Sequence, residues 1–514
     1  MNVTWRSINK PISLGIIVLL LMMTRLLIFY FGPEERLIGI IPDDAFYYIQ
    51  LAKHRVVDGF WTFDGTSKAT GFHLLYGYLL TAIFTLLPNI EWQKLYLLIG
   101  TISVISLSVS AIFSTKMIGQ LFDKEVQFMG VIPFITIPIF SQSTSLMESW
   151  AVVLFSTLSI YVVIRKSSTM GWTWFLVIFL IGLLGSLART DFGLITGLLF
   201  TTSLLFTGFK RQEITLRAFL LLAGAIIGLA IALLHNQVVS GNFLQASAQI
   251  KLHWSSILGH SIVPPFGLMI KSITHIIPGI GLFLFLMLIA SILFVTSIIR
   301  AAKLNYGGYK SERFIVFLAC SLTLIGYIFI YRNNSAALQY WYAANFAAPL
   351  GVVLAGLTFY ALNKARFLVS SVVVIAYFLA SPFALWHIPY PFNSAMMKAG
   401  IYLRDMRDDR IYSAWNAGII SFFSGKPLVN LDGLTNDDAV PYILSNRLFD
   451  YVLDQKIDFI VDYPVMFNEA HRRRGGYDDV RIDNCVRLDH IIGSSSEQWG
   501  SSRLSLYSVE TPCK

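Results

Sequence analysis

Long runs of apolar residues, separated by short polar segments, recur along the first three quarters of the chain. A transmembrane helix needs about 17–25 mostly apolar residues, and most of these runs have such a length. A membrane β-barrel would require alternating apolar and polar positions, whereas these runs are continuous. The pattern therefore predicts an all-α polytopic membrane protein.

Eleven spans are predicted when the short loops rich in Lys and Arg are placed in the cytoplasm. Arg6 and Lys10 place the N-terminus on the same side, and the length of the first run, which contains Arg25, distinguishes it from a signal peptide. The segment 73–87 is short for a span and is predicted to be interfacial or re-entrant. The predicted spans are 11–31, 92–115, 126–146, 149–164, 172–188, 191–208, 215–235, 276–299, 313–331, 343–363 and 367–387.

The hydropathy falls after Pro391, so we divide the chain into a membrane module, 1–390, and a soluble domain, 391–514. Short apolar segments alternate with helical ones in this domain, which predicts a small α/β unit. An odd number of spans places the domain, like the first loop at 32–91, outside the cytoplasm. Cys485 and Cys513 then lie in an oxidising compartment, where they could pair. The predicted strands are 410–415, 427–431 and 458–462, and the predicted helices are 417–423 and 437–453.

Composition supports a membrane protein and argues against a nucleic-acid partner. Only 13% of the 514 residues are charged, against about 25% in an average soluble protein. The net charge is +9, but the last 117 residues carry 14 Lys and Arg against 17 Asp and Glu. The basic excess therefore lies mostly in the predicted cytoplasmic loops, where the positive-inside rule and anionic lipids explain it. No His and Cys spacing predicts a zinc site.

Two adjacent carboxylates, Asp43 and Asp44, follow the first apolar run and precede an amphipathic helical pattern at 45–57. Like charges on adjacent residues must be solvated or paired, and one of the two carboxyl groups can then have a raised pKa. A helix N-cap explains one acid but not both. Other polar clusters fall on the same predicted outer face: 146–149, 188–191, 236–275, 331–332 and 340–342. Their convergence predicts a site at the outer membrane boundary.

Short motifs follow one another in a definite order along residues 30–390. In the first loop they are Asp43-Asp44-Ala45-Phe46-Tyr47-Tyr48, Asp58-Gly59-Phe60, Phe63-Asp64-Gly65 and Gly71-Phe72-His73. Later ones are Met147-Glu148-Ser149, Ala188-Arg189-Thr190-Asp191, the 236–251 loop with Lys251, Arg332 and Tyr340-Trp341-Tyr342. In this order they resemble the GT-C superfamily, in particular polyprenyl-phosphate-sugar-dependent enzymes of the arabinofuranosyltransferase and protein O-mannosyltransferase type. Ser145-Leu146 stands where that family usually has Asn-Gly, and Gln245-Ala246-Ser247 where it has Pro-x-Ser.

The resemblance implies sugar transfer from a polyprenyl-phosphate sugar to a glycan, lipid or protein acceptor on the outer face of the plasma membrane. It implies an aspartate general base, with Asp43 preferred and Asp44 nearly as good. The departing phosphate needs cations more than an acid catalyst. The implied substrate-binding residues are Lys53, His54, His73, Glu148, Arg189, Asp191, Lys251, His253, Arg332, Tyr340 and Tyr342. Some enzymes of this class use a divalent cation, so we assign neither a cofactor nor a metal.

Two other classes of function remain open at this point. A transporter or flippase of lipid-linked sugars would carry ionisable residues near the middle of the bilayer and paired halves. A non-catalytic envelope scaffold would use the soluble domain to bind partners. Single side chains also have structural interpretations: Arg189 and Asp191 as an ion pair at a helix end, and Arg332 as an anchor at the membrane surface.

Overall fold

Six helices are long and apolar enough to cross a membrane, in a computed structural model that describes residues 11–165, 171–207, 212–271, 312–332, 338–361, 366–406, 409–467, 469–494, 503–510 and 513. Their most apolar windows have a mean hydropathy between 1.5 and 2.5. These six candidate spans are Pro11–Tyr30, Trp92–Leu121, Glu213–Ser240, Glu312–Tyr331, Tyr340–Tyr360 and Phe367–Trp386. The fold is that of a polytopic membrane protein.

Shorter helices fill the space between these candidate spans. Four of them are apolar: Leu74–Leu86, Ser149–Ile164, Trp172–Ala188 and Gly193–Thr207. The others are Glu34–Ile38, Asp43–Val57, Ile137–Gln142, Ala246–Leu258 and Val263–Lys271. Helix Leu74–Leu86 has 13 residues and extends for about 20 Å. This is less than the roughly 30 Å of a hydrocarbon core, as expected for the segment 73–87.

Most of the predicted spans, but not all of them, agree with the structure. Six coincide with the long helices, and the predicted spans 149–164, 172–188 and 191–208 coincide with short apolar helices. The prediction of one continuous helix over 126–146 is wrong. Residues Gln127–Ile135 form a 3-10 helix and Ile137–Gln142 a separate α-helix, because Pro133 and Pro138 cannot donate the backbone hydrogen bonds of a continuous helix. The predicted span 276–299 lies outside the described residues, and the total of eleven stays a prediction.

Arg25 joins the first candidate span to the last one. It is fully buried, and its guanidinium donates hydrogen bonds to the carbonyl oxygens of Ala384 (2.6 Å), Leu385 (3.1 Å) and His387 (2.9 Å). Its Nε donates to Thr144 Oγ1 at 3.1 Å. A charged side chain among apolar helices is costly unless such partners hold it. The first helix is therefore fixed against the end of helix Arg366–Trp386 by polar contacts as well as by packing.

The C-terminal part of the chain forms a five-stranded sheet in the order β2-β1-β3-β5-β4. Strands β1 (Tyr412–Ala414), β2 (Leu428–Asn430) and β3 (Phe459–Asp462) are parallel, with β1 in the middle. Strands β4 (Val486–Ser494) and β5 (Arg503–Val509) form an antiparallel hairpin that pairs with β3. The helices around the sheet are Asn393–Asp405, Gly418–Ser424, Val440–Leu444, Leu448–Asp454, Glu469–Gly475 and Val480–Cys485.

The three predicted strands and the first predicted helix of this region are present. Gly425 ends helix Gly418–Ser424 at a φ of 64°, a left-handed conformation that favours glycine. The prediction of one helix over 437–453 is wrong, because Asn446 takes a φ of 55° between two short helices. Cys485 and Cys513 form a disulfide, with their Cα atoms 5.5 Å apart. The domain boundary at 390/391 stays a prediction.

The first loop packs directly against the C-terminal sheet region. Thr70 donates to the Asp437 carboxylate through its backbone amide (3.0 Å) and its hydroxyl (2.8 Å). The Asn393 side chain donates to the Ile41 carbonyl at 2.7 Å. At Gly71 the two parts come so close that an added Cβ would lie 1.5 Å from the Leu434 carbonyl oxygen. Only a glycine fits this backbone approach.

We predict that Gly71→Ala will destabilise the protein by weakening this packing. The new methyl group forces the loop away from Leu434, at a cost of about 1–3 kcal/mol or more. The matched control is Gly197→Ala, because a Cβ at Gly197 meets nothing within 4 Å. Thermal unfolding of the purified proteins, followed by tryptophan fluorescence, measures the difference. Equal unfolding temperatures for the two variants would contradict the close approach.

Candidate active site

Several helix ends meet the first loop at a cavity of about 210 Å³. The helices end here in polar residues, whereas their middles are apolar, so the cavity lies at one end of the bundle. The polar and aromatic residues of its lining include Asp44, Tyr47, Tyr48, His73, Glu148, Arg189, Asp191, Gln245, Lys251, Tyr331, Trp341 and Tyr342. We call it the first cavity.

A buried cluster of charges forms one wall of the first cavity. Arg189 follows directly after helix Trp172–Ala188 and is only 4% exposed. Its guanidinium donates to both Asp191 carboxylate oxygens, at 3.2 and 3.0 Å, and to Glu148 Oε1 at 3.2 Å. The Tyr331 hydroxyl donates to Asp191 at 2.6 Å. Opposite charges in such contact are stable despite burial, and losing the cation would leave two carboxylates unpaired.

Glu148 keeps one oxygen available to a ligand. Its Oε1 accepts from Arg189, and His73 Nε2 lies 3.7 Å from the same oxygen. Its Oε2 is buried and has no hydrogen-bond partner among the described residues. Buried polar atoms are rarely left unsatisfied in folded proteins, and an exception beside a cavity is consistent with a bound hydroxyl group.

The turn before Glu148 holds a leucine in a conformation that normally favours glycine. Leu146 has a φ of 56°, which is uncommon for a residue with a side chain and costs of the order of 1–2 kcal/mol. Its carbonyl oxygen accepts a hydrogen bond from the Tyr76 hydroxyl at 2.6 Å. The backbone directly before Glu148 is therefore strained.

Lys251 and Asp44 form another part of the lining of the first cavity. Lys251 lies on helix Ala246–Leu258 and donates from Nζ to the Tyr342 hydroxyl at 2.7 Å. Among the described residues Lys251 forms no ion pair within 4 Å, so its charge is less compensated than that of Arg189. Burial raises the pKa of Asp44, and the nearby positive charge of Lys251 partly opposes this rise.

A second cavity, of about 280 Å³, lies on the other side of Asp44. Four residues line both cavities: Asp44, Lys251, Trp341 and Leu434. The second cavity continues between the start of helix Asp43–Val57 and the loops that follow the parallel strands. Its lining includes Asp43, Trp254, Tyr390, Asn393, Trp415, Asp432 and Arg474. Asp44 and Lys251 thus lie at the boundary between the two cavities.

Asp43 differs from Asp44 in its partners. It does not cap its own helix. Its carboxylate instead accepts hydrogen bonds from the backbone amides of Gly418 (3.2 Å) and Ile419 (2.6 Å), which begin another helix. Burial raises the pKa of Asp43 to about 7, although the Ile419 amide favours the charged form. Asp43 therefore fastens the first loop to the C-terminal sheet region.

Tyr47 extends this connection. Its hydroxyl donates to Asp432 Oδ2 at 2.9 Å and accepts from the Ala417 amide at 3.2 Å. Burial raises the pKa of Asp432 to about 8, against the effect of a hydrogen bond from the Leu434 amide. Three carboxyl groups, those of Asp43, Asp44 and Asp432, therefore line the second cavity, and each has a raised pKa.

Not every residue predicted from the sequence reaches a cavity. Asp44, His73, Glu148, Arg189, Asp191, Lys251 and Tyr342 line the first cavity, and Asp43 lines the second. The linings of the two cavities do not include Lys53, His54, His253, Arg332 and Tyr340. Lys53 lies over the Phe422 ring, 4.4 Å from its centroid, and His54 contacts Asp58 at 2.6 Å. Arg332 is exposed and stacks on Phe329.

Sequence reasoning missed part of each cavity. Tyr48 of the first cavity belongs to one of the quoted motifs and Tyr331 to the polar cluster 331–332, but neither was predicted as a site residue. Arg474 follows two other arginines in an unremarkable polar segment, and nothing local distinguishes it. Among the described residues, no group of three or more His, Cys, Asp or Glu side chains is arranged to hold a metal ion.

The fold is that of the GT-C glycosyltransferases, as the sequence motifs predicted. The chain is similar to ArnT from Cupriavidus metallidurans bound to undecaprenyl phosphate, with a TM-score of 0.55 and 10% identity over 96% of this chain and 98% of that one. It is also similar to the Archaeoglobus fulgidus oligosaccharyltransferase in complex with Zn and sulfate, with a TM-score of 0.54 and 12% identity over 97% of this chain and 73% of that one.

A further structure of the same archaeal enzyme, tethered to an acceptor peptide containing the NVT sequon, matches with a TM-score of 0.53 and 12% identity over 97% of this chain and 74% of that one. Residues 392–507 match a family described as a domain of unknown function (DUF8728). No curated protein matches the chain in sequence. At these identities the solved structures establish the fold, and the chemistry must be argued from the residues.

We predict that Arg189→Gln will strongly destabilise the protein. The substitution leaves Glu148 and Asp191 buried without their cation, which typically costs about 3–5 kcal/mol. Arg36→Gln is the control, because Arg36 is exposed. Thermal unfolding in detergent should show a much lower midpoint for Arg189→Gln than for the control. Similar midpoints would mean that the buried charge cluster does not form.

Proposed function

We propose that this protein is a membrane glycosyltransferase that moves a sugar from a polyprenyl-phosphate donor to an acceptor hydroxyl at the outer face of the membrane. The observation that carries the proposal is the position of Asp44 and Lys251 between two cavities in a GT-C fold. Such an arrangement allows a donor and an acceptor to meet at one carboxylate. The similar ArnT structure, which contains undecaprenyl phosphate, supports a lipid-linked donor.

The first cavity suits the phosphate and the sugar of the donor. Lys251 has the less compensated charge, so it is the better group to bind a phosphate and to stabilise the charge that develops on it. Arg189 is already held by two carboxylates and mainly fixes the wall. The free Oε2 of Glu148 can accept a hydrogen bond from a sugar hydroxyl.

We assign the general base to Asp44 rather than Asp43. Sequence resemblance favoured Asp43, but both of its carboxylate oxygens accept backbone hydrogen bonds. Asp44 lies next to Asp43 and lines both cavities. In the reaction Asp44 takes the proton of the acceptor hydroxyl, whose oxygen attacks the anomeric carbon. The bond between that carbon and the phosphate oxygen breaks, and polyprenyl phosphate departs with the electron pair. Asp43 acts as a positioning residue.

We further propose the topology expected from the charged loops, with the N-terminus in the cytoplasm and the cavities at the outer face. The Cys485–Cys513 disulfide supports an oxidising compartment for the C-terminal region. The titratable residues of the cavities gather at one end of the bundle, which argues against a transport pathway through its middle.

We predict that Asp44→Asn will abolish transfer while leaving the donor bound. Loss of a general base typically lowers a rate by about 10²–10⁴-fold, whereas Lys251 remains to hold the phosphate. The assay incubates the purified protein with a panel of polyprenyl-phosphate sugars and measures the polyprenyl phosphate released. The control is Asp454→Asn on an exposed helix face, which should retain the wild-type rate.

Wild-type turnover by Asp44→Asn would refute the assignment of the base. If Asp43→Asn loses activity while Asp44→Asn stays fully active, Asp43 is the general base, as the sequence resemblance implied. If the wild-type protein consumes no donor of the panel, this result would count against a glycosyltransferase function and favour a non-catalytic envelope scaffold.

We predict that kcat/KM will rise with pH as Asp44 loses its proton. Because the pKa of Asp44 is raised, this rise lies above the ordinary range of an aspartate, about 3.9. Lys251 favours the charged carboxylate, so Lys251→Met should raise the pKa of Asp44 further and move the rise to still higher pH. The control is Lys94→Met, at an exposed lysine paired with Glu91, and it should leave the midpoint of the pH profile unchanged. A midpoint that stays constant or falls in Lys251→Met would contradict the proposed coupling.

A further inference from the structure

The second cavity lies at a characteristic place in the C-terminal sheet. The chain runs from β1 to β2 on one side and then to β3 on the other, so the parallel strands have the order β2-β1-β3. The loops at their carboxyl ends carry Trp415 after β1, Asp432 after β2 and Met466 after β3, and all three residues line the cavity. In open α/β sheets ligands bind at such a point, where the strand order reverses.

Two tryptophans and an arginine form one wall of this cavity. The ring centroids of Trp254 and Trp415 lie 5.2 Å apart, and the two ring planes make an angle of 30°. The guanidinium carbon of Arg474 lies 5.0 Å from the Trp254 centroid and 5.2 Å from the Trp415 centroid. Trp254 belongs to the membrane module and the other two to the C-terminal region, so the wall exists only when the two parts are packed together. Aromatic faces of this kind suit the apolar face of a sugar ring.

The polar groups of the cavity have unused hydrogen-bonding capacity. Four buried atoms have no hydrogen-bond partner among the described residues: Trp254 Nε1, Tyr390 Oη, Asn393 Oδ1 and Arg474 Nε. They line one cavity and include both donors and an acceptor. Buried polar atoms normally find partners, so this concentration indicates a ligand that supplies them.

Arg474 has a positive charge that no carboxylate pairs directly. Among the described residues it forms no ion pair within 4 Å, whereas the neighbouring Arg472 contacts Asp483 at 2.9 Å. Asp432 acts on Arg474 only at longer range. A guanidinium stacked on aromatic rings keeps its in-plane N–H groups available, and these match the oxygens of a carboxylate or a phosphate.

We propose that the second cavity is the acceptor site, and that it selects a glycan bearing an acidic group, which Arg474 binds beside the platform of Trp254 and Trp415. This inference rests on the proposed function, because it assigns the acceptor side of the same reaction. Asp44 reaches an acceptor hydroxyl from the boundary of the two cavities, while the acidic group is held at the far wall.

The test compares three disaccharides that differ at one carbon: cellobiouronic acid with a carboxylate, cellobiose with a hydroxymethyl group, and cellobiose 6′-phosphate. Binding to the full chain in nanodiscs of phosphatidylcholine, which carries no net charge, is measured by tryptophan fluorescence and calorimetry. We expect the two acidic sugars to bind at least about tenfold more tightly than cellobiose. A preference for only one of them identifies the acidic group as carboxylate or phosphate.

Variants separate a specific contact from general charge. Arg474→Gln should remove the preference for acidic sugars, Arg474→Lys should keep part of it, and Arg473→Gln should keep all of it, since Arg473 is exposed on the same helix. Thermal unfolding checks that each variant is folded. Equal binding of the three sugars, no binding of any, or an unchanged preference in folded Arg474→Gln would overturn the inference.

A parallel assay distinguishes this failure from failure of the proposed function. Release of polyprenyl phosphate from the donor panel tests glycosyl transfer without reference to Arg474. Donor consumption without a preference for acidic sugars would refute the acceptor assignment alone. A preference for acidic sugars without donor consumption would refute the transferase and leave a sugar-binding cavity.

Discussion

The Asp43 carboxylate holds two backbone amides of helix Gly418–Ser424, and this contact connects the first loop to the C-terminal sheet region. The fit is tight: a Cβ at Gly418 would lie 2.4 Å from the Asp43 carbonyl oxygen. Since the next residue, Asp44, lines both cavities, its position depends on this anchor. Neither part of the chain forms the second cavity alone, because its walls come from both.

The two neighbouring carboxylates illustrate how one motif can serve two purposes. Both follow Pro42 at the start of a helix, where side chains at consecutive positions point in different directions. Asp43 therefore turns toward the amides of the sheet region at the second cavity, and Asp44 turns toward both cavities. The raised pKa of each has the same first cause, burial, but only Asp44 has a nearby lysine that opposes it. Burial thus increases the proton affinity of Asp44, and Lys251 limits the increase.

Much of this architecture could be predicted from the sequence, for physical reasons that also explain the failures. Apolar runs of membrane length identified the candidate spans, and seven of the site residues predicted from the motifs line the first cavity. Residues 128–140 are apolar apart from Thr136, so hydropathy alone could not show that Pro133 and Pro138 divide the segment 126–146. The hairpin β4–β5 and Arg474 were missed because their significance depends on tertiary neighbours distant in sequence. Lys53 and Arg332 met the charge criterion, but aromatic rings hold them elsewhere.

The contacts of Arg25 carry a consequence for biosynthesis. Arg25 in helix Pro11–Tyr30 is translated some 360 residues before its carbonyl partners at Ala384, Leu385 and His387. At an elongation rate of about 5–20 residues per second, that interval lasts roughly 20–70 seconds. Throughout it the guanidinium must be hydrated or held by substitutes, such as lipid phosphates or an insertion chaperone. Packing of helix Pro11–Tyr30 into the bundle is therefore a late event, completed only after helix Arg366–Trp386 has entered the bilayer.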